Sequence, residues 1–431
     1  MNKKSLIYSL YWLFVPFIFL LSGCNGNNSV SQNGDPDLIL PGPDAQQTIQ
    51  QAFIDAEEGD VIQFGEGTFE LTATITLNNK TGVTLKGSGR EETVFSFTGQ
   101  TDGSDGLLIS NSSGIIVQDL TISDTAGDGL KVRDTDGIVI YRVGAVWSGE
   151  PSSENGAYGI YPVLSSNVMI DESYAYGASD AGIYVGQSDR VIVRNSLAEG
   201  NVAGIEIENT TNADIYGNTV NDNTGGIMVF DLPWLPVSGS HVRVFNNVVQ
   251  HNGRVNFAPA GNIVAQVPAG TGILVMSTNN VEVFDNEIEE NNVIGTGVFS
   301  INSMIELGEL PSNVQMDESY NTYNVYIHGN SYSRSNMYVS PADQNTIGNL
   351  LIQSFGENPI PDIMLDGFLS AEANESGDVC VQNNIGSSFV NLNIPFSFPT
   401  NISFDSSPHD CSLEPLPEVQ VEIPVYNGKD E

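Results

Sequence analysis

The sequence predicts an all-β protein: a parallel β-helix, a single-chain solenoid of about ten coils with a short helix over its N-terminal end. Composition is the first observation. The 431 residues include 44 Gly and 43 Asn, poor helix formers that favour turns and left-handed backbone. Apolar patterning is the second, since hydrophobic residues come in short runs with two apolar side chains two positions apart, both on one face of a strand. The third is recurrence. One register reads GVTLKG from Gly82, GIIVQD from Gly114, GIVIYR from Gly137, NVMIDE from Asn167, RVIVRN from Arg190, NADIYG from Asn212, HVRVFN from His241, NVEVFD from Asn280 and NVYIHG from Asn324. A second reads DGLLIS from Asp105, DGLKVR from Asp128, YGIYPV from Tyr158, AGIYVG from Ala181, AGIEIE from Ala203, GGIMVF from Gly225, TGILVM from Thr271 and TGVFSI from Thr296. The two alternate, each returning after 22 or 23 residues where nothing is inserted, as from Asn167 to Arg190 to Asn212. A unit this small cannot bury its face alone, whereas stacking one unit per coil makes a continuous core and continuous parallel ladders. At roughly 4.8 Å per coil, nine or so complete coils make a rod on the order of 45 Å long.

The elements follow in chain order. Residues 1–23 carry Lys3 and Lys4, an apolar run from Leu6 to Leu21 and small residues before Cys24, which are the features of an export signal. The ending Leu21-Ser22-Gly23-Cys24 resembles the lipobox of bacterial lipoproteins. That resemblance implies acylation of Cys24 and a lipid anchor, and Asn25 after it implies sorting to the outer membrane. Residues 24–43 are a polar, Gly/Pro-bearing tether. A cap helix is expected over Ala45–Glu57: Asp44-Ala45-Gln46-Gln47 starts it like a capping box, Ile49, Ala52, Phe53 and Ala56 form its apolar stripe, and Gly59 stops it. Residues 44–354 form the β-helix domain. Within it, Asn218 and Asn223, Asn247 and Asn252, and Asn286 and Asn291 are expected to superimpose into amide ladders between coils. Residues 355–431 are less regular and are expected to cover the other end. Once Cys24 is acylated, Cys380 and Cys411 remain in a compartment that permits disulfides; joined, they close a loop of 30 residues and contribute on the order of 3 kcal/mol. His409 and Asp410 beside Cys411 supply too few ligands for a metal site.

Charge narrows the function. The formal net charge is -39 although only 16% of residues are charged, so the imbalance is a shortage of cations. Such a field repels phosphate backbones and argues against a nucleic-acid role. A monomer is expected. Insertions expand the coil at 147–156, 231–240, 252–270 and 302–322, and on a repeat scaffold loops are where binding surfaces arise. Trp147 and Trp234 lie in two of them and are candidate sugar platforms, the alternative being that each packs as its loop's own small core. The outward positions of the second register are expected to form a column: Leu108, Lys131, Tyr161, Tyr184, Glu206, Met228, Leu274 and Phe299. Its polar and aromatic middle, Lys131 to Glu206, is a candidate face. Arg133, Arg142, Arg190 and Arg194 fall nearby and, on one face, would hold carboxylates by bidentate pairing; the alternative is pairing with neighbouring Asp and Glu. Asp124, Asp128, Asp134 and Asp136 offer oxygen ligands for Ca²⁺, although the Asp/Gly nonapeptide Ca²⁺ repeat is absent; otherwise they form a solvated anionic face.

Residues 45–350 together resemble the right-handed β-helix, pectin-lyase-like superfamily, in particular its carbohydrate-binding and sugar-hydrolysis repeats. Tyr158-Gly159-Ile160-Tyr161-Pro162-Val163-Leu164 is similar to the YGFDPHD segment of periplasmic mannuronan C5-epimerases. In that family the first Asp and the His of DPHD belong to the proton-transfer site. Here those positions are Tyr161 and Val163, and the final Asp is Leu164, so epimerisation by that mechanism is not expected. The resemblance also implies lyase-type chemistry, in which a Tyr moves a proton while a cation neutralises a uronate carboxylate. Tyr161 and Tyr184 are the candidate proton-transfer groups, with Lys131 and Arg133 as cations, since a phenol of ordinary pKa near 10 needs neighbouring positive charge to act as a base. Arg142, Arg194, Glu206, Trp147 and Trp234 are candidate substrate-binding residues. Two functions are expected from this: a lipid-anchored protein that binds or modifies acidic polysaccharide, or a non-catalytic scaffold or periplasmic accessory protein.

Overall fold

Each coil is built from three strands rather than the two that the sequence registers mark. One coil runs through strands Ala181–Gly186, Asp189–Arg194 and Leu197–Glu199, with left-handed residues Gln187 and Asn195 at the bends between them. The three faces are named here in order. Face III holds the second-register strands, an 11-stranded parallel sheet from Ala73–Asn78 to Phe389–Asn391. Face I holds the first-register strands, such as Ser166–Asp171, Asp189–Arg194 and Thr211–Tyr216. Face II holds strands of three residues, such as Tyr174–Tyr176, Leu197–Glu199 and Thr219–Asn221. A three-residue strand sends one side chain inward, Ala175, Ala198 or Val220, so it leaves no alternation to read in the sequence.

The structure is a computed structural model that describes residues 38–310, 313–335, 340–356, 358–368 and 378–428. The signal segment, Cys24 and most of the tether lie outside the described residues. Registers are strict and parallel. Ile140, Ile170, Val193, Ile215, Val244, Val283 and Ile327 follow one another up the inside of face I, all fully buried.

The Asn ladders stand at the two ends of face II. Asn218 Nδ2 donates to Asn247 Oδ1 at 2.9 Å, Asn247 to Asn286 at 3.0 Å and Asn286 to Asn330 at 2.9 Å. Across the strand, Asn201, Asn223, Asn252 and Asn291 repeat the pattern at 2.9 to 3.1 Å. Each amide also accepts from the backbone N–H of the preceding coil, meeting donors that the corner leaves without a ladder partner. Gly182 and Gly204 face these amides: a Cβ there would stand 2.6 Å from Asn201 Nδ2 and 2.9 Å from Asn223 Nδ2.

The cap helix α1 spans Ala45–Asp55, two residues shorter than expected, and buries Ala45, Ile49 and Phe53. Asp44 makes no side-chain cap, so the expected capping box does not form. Gln46 and Gln50 close the edge instead, their Oε1 atoms accepting from Thr72 N at 2.7 Å and Thr76 N at 2.9 Å. Amide side chains thus satisfy donors of an edge strand that would otherwise invite another chain.

Two short helices interrupt the last coils, α2 (Ile301–Glu306) at the 302–322 insertion and α3 (Thr346–Phe355) after it, and strands Ile363–Leu365, Val379–Gln382 and Phe389–Asn391 continue the sheets past residue 354, so the coils run further than expected. The Cys380–Cys411 disulfide is present. Residues 412–428 do not lie over the end of the rod. They run back along the flank of face I, where Val419, Val421, Ile423 and Tyr426 pack on Ile116, Val139, Met169 and Ile192.

Candidate functional site

The outward side of face III carries the expected column, with one correction. Leu108 pairs with Lys131, Lys131 with Tyr161, Tyr184 with Glu206, Glu206 with Met228, and Met228 with Leu274. The next member is Gly297; Phe299 pairs with Met276 one column over, because strict register counts from the strand rather than from the motif.

Three tyrosines meet at the centre. Tyr158 lies 4.5 Å from both Tyr161 and Tyr184, ring centre to ring centre, and Tyr161 meets Tyr184 edge to face at 4.9 Å. The Tyr184 ring lies along its strand over Gly186, where a Cβ would come within 2.3 Å of the phenol oxygen. That space lets Tyr184 Oη donate to Glu208 Oε1 at 2.6 Å. Asp180 takes a hydrogen bond from Tyr158 and another, at 3.0 Å, from Asn262 Nδ2 of the 252–270 insertion. Glu206 is 2% exposed, and its Oε2 has no hydrogen-bond partner among the described residues.

Burial and mutual repulsion raise these carboxyls above the ordinary carboxylate range. Burial, then the Asp180 and Glu208 charges, push Glu206 well above the ordinary carboxylate range. Asp180 is raised to about 7 by burial and Glu208, and Asp231 to about 6 by burial. Tyr158 and Tyr184 are raised by burial and the same carboxylates. Tyr161 is raised to about 12 by burial and by Asp128, Glu208 and Asp105, with Arg133 opposing. A phenol in that setting holds its proton at neutral pH, which corrects the expectation of a tyrosine base activated by Lys131 and Arg133. Lys131 Nζ stands 4.9 Å over the Tyr161 ring face and pairs with Asp128 at 2.9 Å, so its charge is already met.

The other candidates separate. Arg142 and Arg194 lie on face I and its corner, away from Lys131 and Arg133 on face III, so the single basic surface does not exist. Each cation has an acidic partner: Arg133 with Asp134 at 2.9 Å, Arg142 with Asp119 at 2.6 Å, Arg194 with Asp171 at 2.9 Å, and Arg190 with Asp189. Arg194 is covered by Tyr426 of the C-terminal segment. Trp147 is 4% exposed with its indole N–H on Thr125 O at 2.8 Å; it is loop packing and not a sugar platform. Trp234 is 49% exposed on the 231–240 insertion, whose Leu232 and Leu235 pack against face III. The acidic turns do not converge on a Ca²⁺ site. Asp128 is taken by Lys131, Asp134 by Arg133 and Asp136 by Asn167, and no three His, Cys, Asp or Glu side chains among the described residues group as metal ligands. An aromatic ladder on face I, Tyr216, Phe245, Phe284 and His328, stacks within 14° of parallel, so each ring face is spent on its neighbour and only edges point outward.

Asp180, Glu208, Asp231 and Tyr158 join the site without having been singled out in the sequence. One signal was available: Glu206-Ile207-Glu208 alternates about an inward Ile, so both carboxyls share the outward face.

Fold and site define a right-handed parallel β-helix protein with a tyrosine and carboxyl cluster on one outer face. The family model described as a right handed beta helix region matches residues 152–307, which hold that cluster. Similar solved structures include the A-module of the mannuronan C-5 epimerase AlgE4 of Azotobacter vinelandii, at 17% identity over 77% of this chain and 92% of that one, TM-score 0.43. DFA-IIIase from Arthrobacter chlorophenolicus A6 is 12% identical over 84% and 86%, TM-score 0.49. Alginate lyase from Paenibacillus sp. str. FPU-7 is 15% identical over 69% and 97%, TM-score 0.33. These likenesses are likenesses of fold. No curated protein sequence matches the chain.

Proposed function

We propose that the protein is carbohydrate-active and works on face III, where a sugar packs beside the half-buried Tyr161 and its oxygens meet the half-buried carboxyl group of Glu208, with the buried Glu206 and Asp180 behind it. One observation carries this reading: the buried, unpartnered Oε2 of Glu206. A buried polar atom without a partner costs about 1–3 kcal/mol, and such groups concentrate where a site is shaped for a ligand. A carboxyl group still protonated near neutral pH is suited to donate a proton to a glycosidic or ring oxygen, and a neighbouring carboxylate of lower pKa to accept one. The exposed side of the column, toward Lys131 and Arg133, is the entry, and Trp234 is an outlying platform.

Paired cations and acidic walls favour an uncharged sugar. An acidic polysaccharide is the second reading, because the Arg133 side chain at the entry is 56% exposed and pairs through its Nε with the exposed Asp134, which leaves its terminal N–H groups for a uronate carboxylate. The same reading holds the protein at the outer membrane by an acyl chain on Cys24, so Cys24→Ser is expected to abolish incorporation of labelled palmitate.

The test is a screen of neutral glucans, mannans and fructans beside alginate and pectate, recording tyrosine fluorescence, new reducing ends and new unsaturated ends. Binding that is lost in Tyr161→Ala, with turnover lost but binding kept in Glu206→Gln, is the expected result. Unchanged turnover in Tyr161→Phe removes that hydroxyl from the chemistry. Neither binding nor turnover on any polymer sinks the proposal and leaves the scaffold reading.

A further inference from the structure

Face I has an outward column of its own, and its composition changes along the rod. Its lower half is apolar: Ile116, Val139, Met169 and Ile192 are register neighbours in successive coils. Its upper half is polar, continuing through Asp214, Arg243 and Glu282 to Tyr326 and Cys380. Cys380 carries the disulfide to Cys411, so the C-terminal segment starts at the top of this column and runs down it.

That segment crosses the strands instead of lying along them, so it cannot join a ladder, and side chains on the column and, two residues beside it, Asn167 receive its amides. Leu416 N donates to Glu282 Oε2 at 3.1 Å, Val419 N to Asp214 Oδ2 at 3.1 Å and Glu422 N to Asn167 Oδ1 at 2.9 Å. The donors are three residues apart and the acceptors two coils apart. Three residues of extended chain span roughly 9–10 Å and two coils about 9.6 Å, so one period matches the other. Two Arg–Asp pairs aim the acceptors: Arg243 grips Asp214 with two N–H groups, and Arg194 holds Asp171, whose Oδ2 takes the Tyr426 hydroxyl at 2.8 Å. Arg194 Nη2 in turn donates to Tyr426 Oη at 2.9 Å. Between these points Val419, Val421 and Ile423 lie on the apolar half. Periodic amide acceptors, preorganised charge pairs and an apolar strip are the means by which a surface reads an extended peptide.

We propose that the outward column of face I is a peptide-recognition face, occupied here by residues 413–427 as an intramolecular ligand. The partner it fits is an extended protein segment with aliphatic residues two apart, acidic or neutral residues between them, and a Tyr three positions after the last aliphatic that packs on the face, as Tyr426 follows Ile423. The strap has no helix or strand of its own, and Val425 beside its anchoring Tyr is 97% exposed. The proposal is independent of the face III site.

The probe is a fluorescent synthetic peptide of residues 412–428, titrated by anisotropy into the full-length protein and into the full-length double variant Val419→Asp, Tyr426→Ala. Self-occupancy lowers apparent affinity by the fraction of molecules whose face is free. The peptide is therefore expected to bind the double variant at least about tenfold more tightly than the unmodified chain. Adding Met169→Asp, which charges the apolar half without touching the inward core, is expected to abolish that binding. Glu-specific proteolysis at Glu418 and Glu422 reports the strap, protected in the unmodified chain and cut in the double variant. A double variant whose strap is cut but which binds no peptide overturns the proposal. A strap still protected in the double variant also overturns it, showing a fixed part of the body instead of a ligand.

Discussion

Glu206 is the residue at which packing and chemistry conflict, and its titration should be visible in stability. Its folded pKa, like that of Asp180 and Glu208, is raised by burial, so the native state binds more protons than the unfolded chain between the two values. The sign follows: stability is full below the ordinary carboxylate range and falls as pH rises through it toward about 7, the value Asp180 reaches. Thermal unfolding at about pH 5 and about pH 8 is expected to show a lower midpoint at the higher pH. Glu206→Gln is expected to shrink that difference, and an unchanged difference would mean that Glu206 is ionised in the fold. Gly186 gives a second prediction. Its absent side chain is the space used by Tyr184, so Gly186→Ala is expected to cost about 1–3 kcal/mol in urea denaturation and to move Tyr184 from Glu208. The alternation of strand residues made Tyr161, Tyr184 and Glu206 legible as one column. Their raised pKa values were not legible, because burial is the first cause of each and depends on what covers face III after the coils have stacked.

At the scale of the element, the Asn ladders flank the short strands of face II and bond each coil to the next. Asn247 accepts from both the backbone and the side chain of Asn218 and donates onward to Asn286. Asn247→Ala strips buried partners from both neighbours and is expected to cost about 2–4 kcal/mol, whereas Asn246→Ala at the exposed corner is expected to cost less than about 1. Equal costs in chemical denaturation would refute a ladder role. The ladders could be read from the five-residue spacing, yet the strand between them could not, since three residues with one inward side chain carry no period. A different signal was present on face I. Ile115-Ile116-Val117, Ile138-Val139-Ile140, Val168-Met169-Ile170 and Val191-Ile192-Val193 are unbroken apolar triplets, while His241-Val242-Arg243-Val244 and Asn280-Val281-Glu282-Val283 alternate. A strand apolar on both sides is covered on both sides. The triplets mark the coils over which residues 419–426 lie.

On the largest scale, the β-helix of the described residues is stitched along its side by the C-terminal segment. The disulfide closes a loop of 30 residues and fixes the root of the strap, so Cys411→Ser is expected to lower unfolding stability by about 3–4 kcal/mol, and reductant to do the same to the unmodified protein. Equal midpoints with and without reductant would contradict this. The amino-acid sequence by itself determined the coil, the axial repeat, the amide ladders, the capped first edge and the pairing of Cys380 with Cys411. These follow from interactions between residues a fixed number of positions apart, and a period is written along the chain. Tertiary structure alone decided which face is covered and which stays open, that the basic residues part company between faces I and III, that Trp147 turns inward, and that the C-terminal segment returns along the flank. The physical reason is that insertions and tail are aperiodic. Where they come to rest depends on the outward side chains of many coils at once, and that surface exists only after the coils have stacked.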